Sequence, residues 1–197
     1  MSEFVVVKVG GSLYDLPDLG SRLRHWLGTD ERVQPPATVL LVPGGGPAVD
    51  AIRALDRRHH LGEEAAHWLA LRALSLNAHF LAALLPLATV VAEAGKSGLH
   101  VQILDVCAFF QADEARHGGQ TIPHTWDATS DSVAAHVAVA TQSRRLILLK
   151  SASLLDERVD WVEAARRGFV DAEFASMLRT GPSELEVSVV NLREWWP

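Results

Sequence analysis

The chain has 197 residues, a formal net charge of −6 and a hydrophobic fraction of 48%, the size and balance of one soluble globular domain with a self-sufficient core. Its arginines do not cluster, the adjacent ones forming only the separate pairs Arg57-Arg58, Arg144-Arg145 and Arg166-Arg167, which argues against the basic patch that nucleic acid or an anionic membrane would need. Cys107 is the single cysteine, excluding an intramolecular disulfide and a cysteine-built zinc site.

Cys107 lies in the apolar run Leu104 to Phe110 and reads as a buried, inert thiol. Met1-Ser2-Glu3 leads straight into an apolar run, leaving no room for a signal peptide. The longest apolar stretch, Leu69 to Val91, is broken by Arg72, Asn77, His79 and Pro86, so it is not a membrane span. The expectation is a soluble cytoplasmic protein with one domain over residues 1–197.

Phe4 to Val9 is a β-branched apolar run that stops at Gly10-Gly11, a buried strand. A helical pattern follows at about Leu19 to Leu27, then a strand at Thr38 to Val42. Helices are predicted at Ala48 to His59 and Glu63 to Leu85, and strands at Thr89 to Ala92 and Val101 to Leu104. Gln111 to Thr125 is polar and rich in Gly and His, and reads as a long surface loop. Beyond it come a helix at Asp131 to Thr141, a strand at Leu146 to Leu149, helices at Val159 to Arg166 and Asp171 to Leu178, and a strand at Leu185 to Val190. Strands, most of them continuously apolar, alternating with helices predict an α/β fold, a three-layer α/β/α sandwich with a mainly parallel central sheet and right-handed crossovers. Ligands of such sheets sit outside the carboxyl ends of the strands.

Three lysines stand against fifteen arginines, so a lysine at a strand end suggests a task that needs a compact ammonium. Lysine meets phosphate as a point charge, arginine as a planar fork. Lys8 ends the first strand before Gly10-Gly11-Ser12, and Lys150 ends the strand Leu146 to Leu149 before Ser151. Two lysines at one sheet edge can flank a phosphoryl group from opposite sides. The structural alternative is that each merely reaches solvent, and that is the reading for Lys96, in the turn Ala94-Gly95-Lys96-Ser97-Gly98. Gly44-Gly45-Gly46-Pro47 follows another strand and opens a helix, which makes an anion site from backbone N–H groups. A tight turn would need one glycine, whereas three favour close approach of a ligand. Asp131 follows Thr129-Ser130 at a helix start, either as a residue favoured there by the helix dipole or as the carboxylate that orients the lysines.

Neither a Walker A loop nor a Gly-x-Gly-x-x-Gly fingerprint occurs. His60, Glu64 and His67 have a spacing that suits a metal, but Gly62 interrupts the helix and His-Glu-x-x-His is absent, so no metal site is expected. Trp195-Trp196 is expected to cover a core edge or a subunit interface.

Lys8-Val9-Gly10-Gly11-Ser12, Gly44-Gly45-Gly46 and Ser130-Asp131-Ser132-Val133-Ala134-Ala135, in this order, resemble the amino acid kinase superfamily, from Phe4 to about Leu155. The resemblance implies that Lys8 contacts the transferring phosphoryl group, that Gly10, Gly11 and Ser12 cradle ATP phosphates, that Gly44, Gly45 and Gly46 hold a small-molecule acceptor, and that Asp131 organises the catalytic lysines. It also implies ATP with Mg²⁺ and a homodimer or higher homo-oligomer. Typical members are longer and carry a Gly-Gly-Met-x-x-Lys-type segment in a C-terminal nucleotide-binding lobe. Here no lysine follows Lys150, so that part is shortened. Most members have Thr-Asp where this chain has Lys150-Ser151. Either Lys150 replaces the missing charge and binds ATP phosphates, or phosphoryl transfer is impaired.

Within that superfamily, the length and the helix Glu63 to Ala70 resemble small kinases of methanofuran-type cofactor synthesis, which phosphorylate an aminomethylfuran-methanol phosphate. The reading is thus an ATP-dependent kinase. Two alternatives stand beside it: a non-catalytic anion or oxyanion storage protein, and a carboxylate kinase in which Arg53 or Arg57 meets the acceptor carboxylate.

Overall fold

The computed structural model describes residues 4–95, 98, 100–154 and 159–195. Six strands form one all-parallel sheet: β1 (Phe4–Val9), β2 (Thr38–Pro43), β3 (Thr89–Val91), β4 (Val101–Leu104), β5 (Arg145–Lys150) and β6 (Glu186–Asn191). Their order is β3-β4-β2-β1-β5-β6. The chain therefore lays β2, β3 and β4 on one side of β1, with β4 between β2 and β3, and returns to add β5 and β6 on the other. That reversal opens a crevice between β1 and β5 at their carboxyl ends.

Seven α-helices accompany the described strands: α1 (Leu19–Thr29), α2 (Gly46–His59), α3 (Glu63–Leu84), α4 (Val106–His117), α5 (Ser130–Ala140), α6 (Trp161–Arg166) and α7 (Phe174–Arg179). Side chains of a strand alternate between faces, and the two cores follow that alternation. Val6, Leu40, Leu104, Leu146 and Leu148 pack with α4, α5, α7 and the first half of α3. Val5, Val7, Leu41, Ile103, Ile147 and Leu149 pack with α1 and the second half of α3. Trp195 joins this second core and lies 5.3 Å from the His25 ring. Trp196 lies outside the described residues, as does Lys96.

Gln111 to Thr125 is not one long loop: its first part belongs to α4. Asp105 caps that helix, its Oδ1 accepting from Ala108 N at 3.1 Å, and Gly118 closes it with φ +71°. The buried residues Val106, Cys107, Phe109 and Phe110 crowd its first half, so polarity changes along the axis rather than around it, and no amphipathic period marks it. The true loop is residues 118–129. Cys107 is buried, and burial raises its thiol pKa. Among the described residues no helix is long and apolar enough to cross a membrane.

Candidate active site

Lys8 and Lys150 share the parity of Val6 and of Leu146 and Leu148, and so point to the face that carries α5. The register pairs Lys8 with Leu148, placing Lys150 two residues further along the neighbouring strand. Between them stands Asp131, from the first turn of α5. Lys8 Nζ lies 2.8 Å from Asp131 Oδ1, and Lys150 Nζ donates to Oδ2 at 2.7 Å. All three are largely buried, with Lys8 only 4% exposed. Lys150 also donates to Phe169 O at 2.7 Å and lies 5.2 Å from the Phe169 ring.

Burial would raise the Asp131 pKa, but the charges of Lys8 and Lys150 overcome it and hold the carboxyl below its ordinary value. Lys150 is pulled down to about 8, first by burial and then by the charge of Lys8, with Asp131 opposing. One carboxylate between two ammoniums leaves the group one positive charge in excess, in a dry place where charge is felt strongly.

Asp131 does not cap its own helix. The orphan donors at the start of α5 go to Asp171, whose Oδ2 accepts from Thr129 N at 3.0 Å, Thr129 Oγ1 at 2.8 Å and Ser132 N at 2.9 Å, while Ser132 Oγ donates to Oδ1. Relieved of capping, Asp131 turns to the lysines. Nothing local in the sequence marks Asp171 for this work, since it arrives from a distant segment.

The two glycine loops meet in front of this group. A Cβ on Gly11 would fall 2.2 Å from Gly46 N, and one on Gly44 would fall 2.3 Å from Gly11 N. The glycines are therefore required first by the contact between the loops. Gly10 N donates to Leu149 O at 2.8 Å, extending the sheet rather than facing a ligand. Gly11 and Ser12 open a 3-10 turn, Gly11–Leu13, whose first N–H groups have no acceptor within the turn. Gly44 lies behind the cleft lining, its carbonyl taken by Tyr14 Oη at 3.0 Å and Asn77 Nδ2 at 2.8 Å. Asn77 also donates to Gly45 O at 2.7 Å. With their acceptors occupied, the loop and the start of α2 offer donors to an anion.

The cleft has a volume of about 580 Å³, and Lys8, Gly10, Gly11, Ser12, Gly45, Gly46, Arg53, Asp131 and Lys150 all line it. Arg53 packs its guanidinium 4.6 Å from the Trp126 ring centroid, and Trp126 is held by its Nε1 donating to Asp56 Oδ2 at 2.8 Å. Arg57 is exposed and outside the lining. Trp126, Asp50, Glu63 and His67 also line the cleft, and sequence reasoning assigned none of them to it. It also missed Arg193, which donates to Ser12 O at 2.8 Å and joins β6 to the first loop. Only Asn77, a polar residue within an apolar helix, carried a signal that would have found it.

A parallel sandwich whose switch point holds two glycine loops and a lysine–aspartate–lysine group defines a phosphate-handling protein. The amino acid kinase family profile matches residues 3–158, and the chain belongs to that family of phosphotransferases. A curated relative from Methanocaldococcus jannaschii, (5-(aminomethyl)furan-3-yl)methyl phosphate kinase, is 22% identical over 152 residues, 73% of this chain and 63% of the relative. The chain thus spans less than two-thirds of that relative's length. Among solved structures, the uridylate kinase of Archaeoglobus fulgidus superposes with a TM-score of 0.62 at 20% identity, covering 95% of this chain and 90% of that one. The UMP kinase of Bacillus anthracis gives a TM-score of 0.64 at 13% identity, covering 98% and 88%. These likenesses establish the fold.

Proposed function

We propose that the protein transfers the γ-phosphoryl group of MgATP to the phosphate of a small phosphomonoester. The observation that carries this is the Lys8–Asp131–Lys150 group at the switch point, facing both glycine loops. In-line transfer asks the protein for positioning and charge neutralisation rather than covalent chemistry. An acceptor oxygen forms a bond to the γ-phosphorus as the bond to the bridging oxygen of ADP breaks. Lys8 and Lys150 neutralise the charge that spreads over the equatorial oxygens. Gly11 and Ser12 offer N–H groups to the donor phosphates, and Gly45 and Gly46 offer theirs to the acceptor. Mg²⁺ enters on ATP as part of the substrate, because both Asp131 oxygens are engaged by lysines.

That same engagement bears on the acceptor. A hydroxyl acceptor needs a base to take its proton, and Asp131 is paired twice over. A phosphate or carboxylate oxygen is already anionic and needs none. Arg53 suits an anionic acceptor, the flat Trp126 ring suits an aromatic one, and Asp50 and Glu63 on the same cleft suit an ammonium. Together with the relative's name, these features support (5-(aminomethyl)furan-3-yl)methyl phosphate as the acceptor.

The test follows ADP release from MgATP with that compound, with UMP and with carboxylate acceptors, adding hydroxylamine to trap any acyl phosphate. Acceptor-dependent ADP release with the furan phosphate, abolished in Lys8→Met, is the expected result. Trapped hydroxamate would transfer the proposal to a carboxylate kinase. Thermal stabilisation by phosphate or molybdate but not by MgATP, without turnover, would overturn it in favour of an oxyanion-binding protein.

A further inference from the structure

Beside His67, which lines the cleft, His124 lies between two carboxylates. Its Nδ1 is 2.6 Å from Glu64 Oε2 and its Nε2 is 2.8 Å from Glu114 Oε1. The His67 ring stacks on it, with centroids 3.8 Å apart and planes 12° apart. His67 is itself 93% buried, and its Nε2 has no hydrogen-bond partner. A buried ring nitrogen left unpaired is costly and calls for an explanation. One ligand atom from each of His67, Glu114 and His124 lies within 4.8 Å of the other two.

We propose that His67, Glu114 and His124 bind a divalent transition metal of the zinc type, with Glu64 orienting His124. Two imidazoles and a carboxylate are the donors such an ion prefers, and they disfavour Mg²⁺. Glu64 would accept the Nδ1–H of His124, fixing the tautomer that leaves Nε2 free to bind, a carboxylate–histidine–metal arrangement. The ion replaces the proton now shared between His124 Nε2 and Glu114, which is released to solvent. It also gives His67 Nε2 the partner it lacks. Because the rings are stacked, one of them must turn for both lone pairs to converge on the ion. The sequence spacing His60–Glu64–His67 missed this set, for His60 closes α2 in a left-handed conformation, exposed to solvent. The ligands come from α3, α4 and the 118–129 loop, so the ion would tie that loop, and Trp126 with it, to those two helices. This inference does not depend on the kinase reading.

The test uses the full chain, stripped with a chelator and titrated with Zn²⁺ and separately with Co²⁺. Expected are one tightly bound equivalent by elemental analysis, a higher melting temperature, and visible Co²⁺ absorption bands of a low-symmetry site, with no such response to Mg²⁺. His67→Ala and His124→Ala should abolish the tight equivalent, and Glu64→Gln should weaken it about ten- to a hundredfold. Wild-type protein that retains no Zn²⁺ and gives no Co²⁺ bands overturns the proposal, whatever the variants do. So does tight Zn²⁺ binding that survives His124→Ala, since surface histidines would then hold the ion.

Discussion

A Cβ on Gly11 would sit 2.2 Å from the backbone nitrogen of Gly46, so the loop after β1 and the loop after β2 touch main chain to main chain. Under the proposed function these loops face donor and acceptor. Their separation is set by backbone contact and leaves no flexible side chain to absorb an insertion.

Gly11→Ala should therefore be damaging out of proportion to one methyl group. A backbone neighbour cannot swing aside, and overpacking of this kind costs about 1–3 kcal/mol. Urea denaturation should show that loss, and ADP release should fall sharply. Gly28→Ala, where an added Cβ meets nothing within 4 Å, is the matched control and should do neither.

Asp131→Asn removes the charge that separates two buried ammoniums. Breaking a buried ion pair from one side costs about 3–5 kcal/mol, and thermal unfolding should record a drop of that order. Phosphate or MgATP supplies negative charge at the same place, so either should raise the melting temperature more in this variant than in the wild type. Equal shifts in both proteins would place the anion elsewhere.

The depressed Lys150 pKa gives a pH dependence with a definite sign. As pH rises through about 8 the free protein loses the Lys150 charge, so phosphate and MgATP should bind more weakly at pH 9 than at pH 7 by calorimetry. In Lys150→Met, binding should be weaker throughout and flatter over that interval. Stability of the anion-free protein moves the other way. Above pH 8 the folded state has released a proton that the unfolded chain retains until about 10.4, so this residue's contribution to stability rises with pH across the gap.

Asp171→Ala leaves the first turn of α5 without its acceptor. Loss of a cap costs about 1–2 kcal/mol, readable by urea denaturation. Turnover should fall further than this cost predicts, because Asp131 rides on that turn. Asp171→Asn keeps one acceptor oxygen and should recover part of both.

The six strands and the parallel sandwich are legible because most of the strands are continuous apolar runs, and the two central ones, β1 and β2, are buried along almost their whole length before they meet a glycine loop. Lys8 and Lys150 stood out for the same reason, as charges at the ends of such runs. Helix α4 was hidden because its apolar residues occupy one end rather than one stripe. Asp171 and Arg193 act through partners 39 to 42 and 178 to 181 residues away, and no local pattern announces such pairings. The histidine cluster was obscured likewise, with His124 lying 60 residues from Glu64. The triple glycine is visible in the sequence, yet Gly44 and Gly46 are required by contact with the other loop and Gly45 by the Val49 side chain, which only the fold reveals.

Helix α3 changes sides as it runs. Leu71 and Leu74 belong to one core, and Ala78 and Leu81 to the other. Asn77 stands at that passage, with its single amide on the carbonyls of Gly44 and Gly45. The loop after β2 is thus suspended from a pivot common to both halves of the interior. Loosening either half, even far from the cleft, would slacken the loop, and a core substitution on the α1 side should be felt at the reaction centre through one amide group.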